Sequence, residues 1–419
     1  MEHQWEENMK QVTAVLIGAG LRGADAYASY ALKYPNELKI VAVAEPNRER
    51  RERLAGLHGI STDYCYENYE SLLAKEKMAD CALICTQDRM HYEPVMTALE
   101  KGYHVMVEKP MSPEREEIME MGRAAKKYDR ILSVCHVLRY SPFFVKLKEL
   151  LEQGRIGELV SIQHIESVGY WHQAHSFVRG NWSDGRTASP MILQKCCHDM
   201  DILLWLSDSH CTRISSFGNL KYFKKENAPE DAPKYCLDGC RHRDTCPYFA
   251  PRFYLEHPSR GDLYRAVSLD TGRESLLRAL EKGPYGRCVF QCGNDVVDHQ
   301  VVNIEFENQV TASFTMCAFT DKCERVINLM GTEGQIRGNM ESGEIEIMDF
   351  ASGDYEKIVL HKTEGGHSGS DEAMMKDFTA LIAGLGNEES TSTASMAVES
   401  HLMALAAEES RITGKVVCL

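Results

Sequence analysis

The sequence predicts a two-part protein. An α/β N-terminal domain over residues 1–139 carries a doubly wound parallel sheet, and an α+β domain over 140–419 carries a large, mostly antiparallel one. Three observations carry that prediction. Aliphatic, β-branched runs alternate with helix-compatible stretches through residue 139, the pattern of parallel strands joined by crossover helices. The first run ends in Gly18-Ala-Gly20-Leu21-Arg22-Gly23, a glycine-rich turn between strand and helix. After Arg139 the pattern changes to strands separated by short paired turns, with two helices at the end.

In chain order, residues 12–17 form the first predicted strand and 24–34 the first helix. In a turn of this kind the first glycine permits the bend and the second lets backbone approach a pyrophosphate. The third brings helix against strand, and the phosphates rest on the helix N-terminus. Leu21 and Arg22, inside the turn, are counted with Gly18, Gly20 and Gly23 as cofactor-binding. Residues 38–45 read as a buried strand ending in Glu45, about 20 residues past the turn, where a carboxylate accepts hydrogen bonds from a ribose and repels the extra phosphate of NADP. Arg48 and Arg50 soften that repulsion, so NAD is expected ahead of NADP. Asn47 caps a helix to about residue 57. Strands follow at 78–86, 103–110 and 130–139, and their carboxyl ends carry Thr86 with His91, Glu108 with Lys109, and Arg139. Ligands of doubly wound sheets bind at those ends.

Beyond residue 139 the reading is a helix to about 153, strands at 158–169, 288–292, 299–306, 310–319 and 325–330, helices at 370–383 and 394–411, and a short strand at 416–419. Residues 217–286 are rich in Pro, Cys, Arg and Tyr without periodicity, and read as an irregular insertion of the kind that is functional or disordered.

The chain has 419 residues and a formal charge of −15, which argues against a nucleic-acid face or an anionic membrane surface as partner. Its first residues are polar and acidic, and no long apolar run exists, so a cytoplasmic protein with reduced cysteines is expected.

Taken together, the glycine turn, Ala44-Glu45-Pro46, Cys85-Thr86 with His91, Glu108-Lys109-Pro110, Arg139-Tyr140, Gly154-Arg-Ile-Gly157, His198-x-x-Asp201 and the late Gly366-His367-Ser-Gly369-x-Asp371 resemble the Gfo/Idh/MocA family. The resemblance runs in family order over nearly the whole chain. It implies an NAD(P)-dependent oxidoreductase acting on a sugar, inositol or related polyol, in a homodimer or homotetramer joined through the second-domain sheet. Two alternatives accompany it: a glycoside-processing enzyme that uses retained NAD for oxidation and elimination, and a non-catalytic sensor of NAD or sugar.

Removing a hydride from a secondary alcohol requires a group for the hydroxyl proton and a donor for the oxygen. Lys109, at a strand's carboxyl end, and His198 are the candidate catalytic residues. Gln194, His198, Asp201 and Trp205 are expected on one face of a helix by spacing. Many family members have a carboxylate where Gln194 stands, and a glutamine cannot serve as a base. The neighbouring Lys195 is a candidate electrostatic substitute. Tyr170, Trp171 and His172 offer aromatic faces and an imidazole to a sugar. With Arg139, Gln194, Lys195 and Asp201 they form the substrate-side set, and Arg179, Trp182 and His367 stand behind them. Finally, Cys236-x3-Cys240-x5-Cys246 places three thiols close in sequence and suggests a structural zinc, with His242, Cys288 or Cys292 as the fourth ligand and an iron–sulfur cluster as the alternative.

Overall fold

The structure is a computed structural model that describes residues 10–256, 263–268, 270–361, 369–385 and 394–419. His367 lies outside the described residues. Six strands, β1 (Val12–Ile17), β2 (Leu38–Ala44), β3 (Cys65–Tyr66), β4 (Cys81–Ile84), β5 (His104–Val107) and β6 (Leu132–Val134), form one sheet in the order β3-β2-β1-β4-β5-β6. All its pairings are parallel. The order reverses between β1 and β4, which makes that crevice the switch point of a dinucleotide-binding fold. The strands are apolar on both faces because both are covered. Val15, Ile17, Ile84 and Val107 pack with Leu99 and Met121 on one side, and Leu16, Val43, Leu83 and Met106 with Tyr27 and Phe378 on the other.

Several strands stop sooner than the sequence suggests. β4 ends at Ile84 and β6 at Val134, and Val137–Tyr140 winds into a tight helical turn. The polar residues expected at strand ends therefore sit on loops above the sheet. The first helix opens as a wide π turn over Leu21–Ala28 before tightening at Ser29–Lys33. β3, two residues long, is too short for any periodicity to announce it.

The second sheet has nine strands: β7 (Leu159–Ser167), β8 (Cys211–Asn219), β9 (His299–Phe306), β10 (Thr311–Cys317), β11 (Glu324–Gly331), β12 (Gly334–Asn339), β13 (Glu344–Asp349), β14 (Tyr355–Val359) and β15 (Val417–Cys418). Their order is β14-β13-β12-β11-β7-β10-β9-β8-β15. β7 and β10 pair in parallel, and the other pairings are antiparallel. One face, with Ile162, Phe314, Val302 and Ile327, packs on helices Pro142–Glu152 and Cys197–Ser207. On the other face Phe217, Val301, Thr315, Ile165 and Val326 stand in register across five adjacent strands. Phe217 is 67% exposed, Ile165 42% and Val301 39%.

Three expectations are corrected. Residues 288–292 turn rather than pair as a strand. The irregular segment starts later than 217, because β8 runs to Asn219. It also has order of its own: helices Ala250–Leu255, Tyr264–Val267 and Arg273–Lys282 surround a core of Phe223, Tyr248, Phe253, Leu280 and Phe290. The helix expected through Gln194 and Trp205 breaks in two, Met191–Gln194 and Cys197–Ser207, so Gln194 is on a separate turn.

Helix Ala394–Thr413 packs against both halves, on β8 and helix Cys197–Ser207 from one side and helix Arg115–Lys127 from the other. His401 pins it there. Its Nε2 accepts the Met111 N–H at 2.9 Å, and its Nδ1–H donates to the Ala397 carbonyl at 2.6 Å. Burial, reinforced by His136, pushes the His401 pKa down to about 3. The unfolded chain titrates near 6.5, so below that pH it binds a proton the folded helix refuses, and stability falls with pH. This histidine alone then costs the fold about 2 kcal/mol between pH 7 and pH 5. Urea unfolding of wild type should lose about that much more over the interval than H401Q does; equal pH slopes would contradict this.

Candidate active site

The glycine turn has the geometry its sequence requires. Gly18 has φ +94°, a left-handed conformation that disfavours a side chain, and a Cβ there would meet the Cys85 carbonyl oxygen at 2.5 Å. A Cβ on Gly23 would meet the Gly18 carbonyl oxygen at 2.1 Å, so the helix packs directly on the turn. A Cβ on Gly20 would meet nothing within 4 Å. It faces open space beside the helix N-terminus, as a backbone cradle for a diphosphate does. The first intrahelical bond runs from Ala24 N–H to Gly20 O, leaving the amides of Leu21, Arg22 and Gly23 at the helix end. At the end of β2 the Glu45 carboxylate accepts hydrogen bonds from Ala19 N–H at 2.8 Å and Asn47 N–H at 2.9 Å. It is thereby fixed beside the turn with lone pairs remaining for a ribose. The residues present fit a bound nicotinamide dinucleotide.

At the end of β5, Glu108 is buried and ionised. Burial alone would raise its pKa, but Arg22 and Lys109 overcome that and lower it. Arg22 Nε lies 2.8 Å from its Oε1, the Tyr27 hydroxyl donates to the same oxygen, and the Lys109 N–H reaches Oε2 at 2.9 Å. The Arg22 guanidinium also binds Asp371 at 2.7 Å, on helix Ser370–Ile382. Arg22 and Glu108 thus brace the site, with their charges turned on each other. His91 braces it too: 1% exposed, it points Nδ1 at Pro110 O (2.7 Å) and Nε2 at Thr86 O (3.0 Å). The Thr86 hydroxyl donates to Met90 O.

Lys109 extends from this brace across the cleft, and its Nζ donates to the Gln194 backbone carbonyl at 2.6 Å. The turn after Gln194 leads into the helix carrying His198, whose ring meets that of His136 edge-on at 5.7 Å. His136 is fully buried beside Asp201 (3.9 Å) and His401. Burial, partly offset by Asp201, pushes it down to about 4, so it is neutral at physiological pH. Sequence reasoning missed His136 and His401 because neither stands in a motif; their convergence comes from three separate elements.

The remaining substrate-side residues divide. Arg139 and Asp201 make a buried bidentate pair at 2.6 and 2.9 Å, with the guanidinium over the Trp205 ring. They hold each other and join two elements. Lys195 binds Glu166 at 2.9 Å, and Glu166 and Asp199 both bind Arg325. Burial lowers the Lys195 pKa, but Glu166 and Asp199 together raise it above its ordinary value, so this side chain is a cation and no base. Trp171 and His172 stack on each other, and burial together with Lys195 holds His172 neutral. Tyr170 meets Tyr248 of the insertion edge-on. Trp182 Nε1 and the Ser189 hydroxyl both donate to Asp88, on the loop after β4, at 3.3 and 2.7 Å. Asp88 therefore clips the two halves together, a role no motif announced. Arg179 belongs to the insertion core, donating to Tyr248 O and Arg287 O.

The expected zinc site is not supported. Among the described residues no group of three or more His, Cys, Asp or Glu is arranged to hold a metal. Cys236 is buried against the Arg179 guanidinium, and the His242 imidazole pairs with Asp231 at 2.8 Å.

The fold and the glycine turn define a two-domain protein of the dinucleotide-binding class. The Gfo/Idh/MocA oxidoreductase family's NAD-binding Rossmann fold matches residues 12–136 and its C-terminal alpha/beta domain residues 148–419, so the chain belongs to that family. It is 24% identical over 315 residues to YteT of Bacillus subtilis, an oxidoreductase by name, covering 71% of each chain. It is 28% identical over 211 residues to inositol 2-dehydrogenase 4 of Saccharopolyspora erythraea, covering 49% of this chain and 57% of that one. Levoglucosan dehydrogenase, solved with NADH and levoglucosan, superposes with a TM-score of 0.71 at 17% identity, over 97% of this chain and 99% of that one. Among the described residues no helix is long and apolar enough to cross a membrane.

Proposed function

We propose that the protein oxidises a secondary hydroxyl of a sugar, cyclitol or related polyol with NAD, or runs the reverse reduction. The observation that carries this reading is Lys109: its backbone N–H is held by Glu108 at the carboxyl end of β5, and its side chain reaches across the cleft to the turn before His198. Inositol and levoglucosan dehydrogenases among its relatives and fold neighbours support the substrate class. NAD is favoured over NADP by Glu45, whose carboxylate would repel a ribose phosphate.

A nicotinamide dinucleotide held by the glycine turn and Glu45 would supply the hydride acceptor for the substrate carbon. Lys109 exchanges the Gln194 carbonyl for the substrate oxygen and holds it by a charge-assisted hydrogen bond. His198 receives the hydroxyl proton as the carbonyl forms, a role suited to an imidazole near neutral pH. Gln194 contributes its backbone oxygen to positioning and takes no proton. The second-domain wall, with Trp171 and His172, presents an aromatic face and a neutral imidazole to the ring and hydroxyls. All fifteen cysteines are unpaired thiols, in keeping with a reducing cytosol.

Pure protein incubated with NAD and a panel of sugars and inositols should generate reduced-nicotinamide absorbance with at least one of them. K109A and H198Q should each lower kcat/KM for it by about 10²–10⁴-fold. Substrate turnover without net cofactor reduction, or ligand binding with no turnover, would contradict the reading.

The open face of the second sheet is the surface we assign to self-association. The in-register row from Phe217 to Val326 is apolar except for Thr315, and an exposed apolar stripe on a sheet face is an interaction surface. Light scattering on a sizing column should give a dimer or tetramer, and V301R should reduce its size. A monomeric wild type would contradict it.

A further inference from the structure

The irregular segment between β8 and β9 carries its own core and is tied to the second domain. Arg179, on the helical turn after β7, donates to Tyr248 O at 2.6 Å and Arg287 O at 2.8 Å. Helix Ala250–Leu255 packs on Arg273–Lys282, which in turn packs on Tyr264–Val267. Helix Tyr264–Val267 is thus carried on the insertion's own helices.

It faces the N-terminal domain. A cleft of about 380 Å³ has Leu21, Asp25, Arg50 and Arg53 on one wall and Tyr264 and Arg265 on the other. The first wall fixes where on the dinucleotide site this cleft lies. Leu21 opens the helix at the glycine turn, and Arg50 and Arg53 are on the helix that follows Glu45. The cleft is therefore on the β2 side of the switch point, and Lys109 is on the β5 side. In this sheet order the diphosphate rests at the glycine turn and the adenosine runs toward the acidic residue at the end of β2. The cleft is also chemically suited to that half of the molecule. Guanidinium groups stack on a purine and hydrogen-bond a phosphate, and a tyrosine ring adds an aromatic face. Arg53 is fixed by Asp25 at 2.7 Å, which orders the first wall.

We propose that the insertion forms a second wall of the dinucleotide site, with Tyr264 and Arg265 closing on the adenosine diphosphate half. This rests on the NAD-binding reading and adds to it. The second domain supplies contacts to both ends of the cofactor's groove, near Lys109 through Gln194 and at the adenosine end through the insertion. The segment is then a device for holding the dinucleotide in place, independent of the hydride chemistry.

The test is equilibrium titration of the full chain with NAD and with ADP-ribose, which carries the adenosine half without the nicotinamide. Arg265 is exposed and Tyr264 half-buried, so R265A should fold, and a melting curve identical to wild type checks this. R265A and the reversal R265E should raise the Kd for both ligands about tenfold or more, the loss of one charge-assisted contact. Tryptic cleavage after Arg265 in wild type should slow when ADP-ribose is added. Wild-type binding with unchanged Kd in both variants, or cleavage indifferent to ADP-ribose, would overturn the proposal while leaving NAD binding intact. Failure of wild type to bind either ligand would instead remove the NAD reading itself.

Discussion

One buried carboxylate organises the reaction centre. Glu108 receives Arg22 from the glycine-turn helix, the Tyr27 hydroxyl from the same helix, and the backbone amide of Lys109. An ionised carboxylate inside a protein costs several kcal/mol unless such partners surround it. Here meeting that requirement fixes three things at once. The turn that would cradle a diphosphate is tied to the strand that carries the lysine. Through Arg22 and Asp371 that strand is tied to a helix of the second domain. The lysine itself is left to extend outward with its backbone held from behind.

The junction between the halves follows the same logic. Asp88 accepts hydrogen bonds from Trp182 and Ser189, Arg139 grips Asp201, and His401 takes the Met111 amide. Each is a buried polar group whose partner comes from a distant part of the chain, and each would be costly to leave unpaired. The cleft between them is consequently fixed in shape by hydrogen bonds, with Lys109 pointing across it and His198 on the far side. His136, His172 and His401 are held neutral by burial, which keeps extra positive charge away from the ammonium.

How much of this was legible in the sequence depends on range. The glycine turn, Glu45 and Lys109 could be read because each sits at the carboxyl end of a strand announced by its own apolar run. His198 needed the family resemblance, since a helix histidine alone says little. The partners could not be read. Arg22 and Asp371 are 349 residues apart, and Arg139 and Asp201 are 62 apart, so Arg139 and Asp201 looked like ligand-binding residues when they bind each other. The broken helix at Lys195 was hidden because its residues suit either conformation. The insertion resisted reading because aromatic packing orders it: Tyr222, Phe223, Tyr248 and Phe290 cluster in edge-on and tilted contacts, a pattern without period. The cysteines misled because thiols close in sequence need not be arranged around one metal ion, and among the described residues these are not.

In the function proposed for this protein, a nicotinamide dinucleotide lies along the switch point with its diphosphate against the backbone at Gly20. Calorimetric titration of NAD into the intact wild-type chain and into G20V tests it most directly. A Cβ at Gly20 meets no protein atom within 4 Å, so the valine should leave the fold intact and occupy the diphosphate's place. One NAD per wild-type chain, with the heat abolished in a G20V protein that melts normally, is the predicted result. Equal uptake by both proteins, or none by wild type, would contradict it.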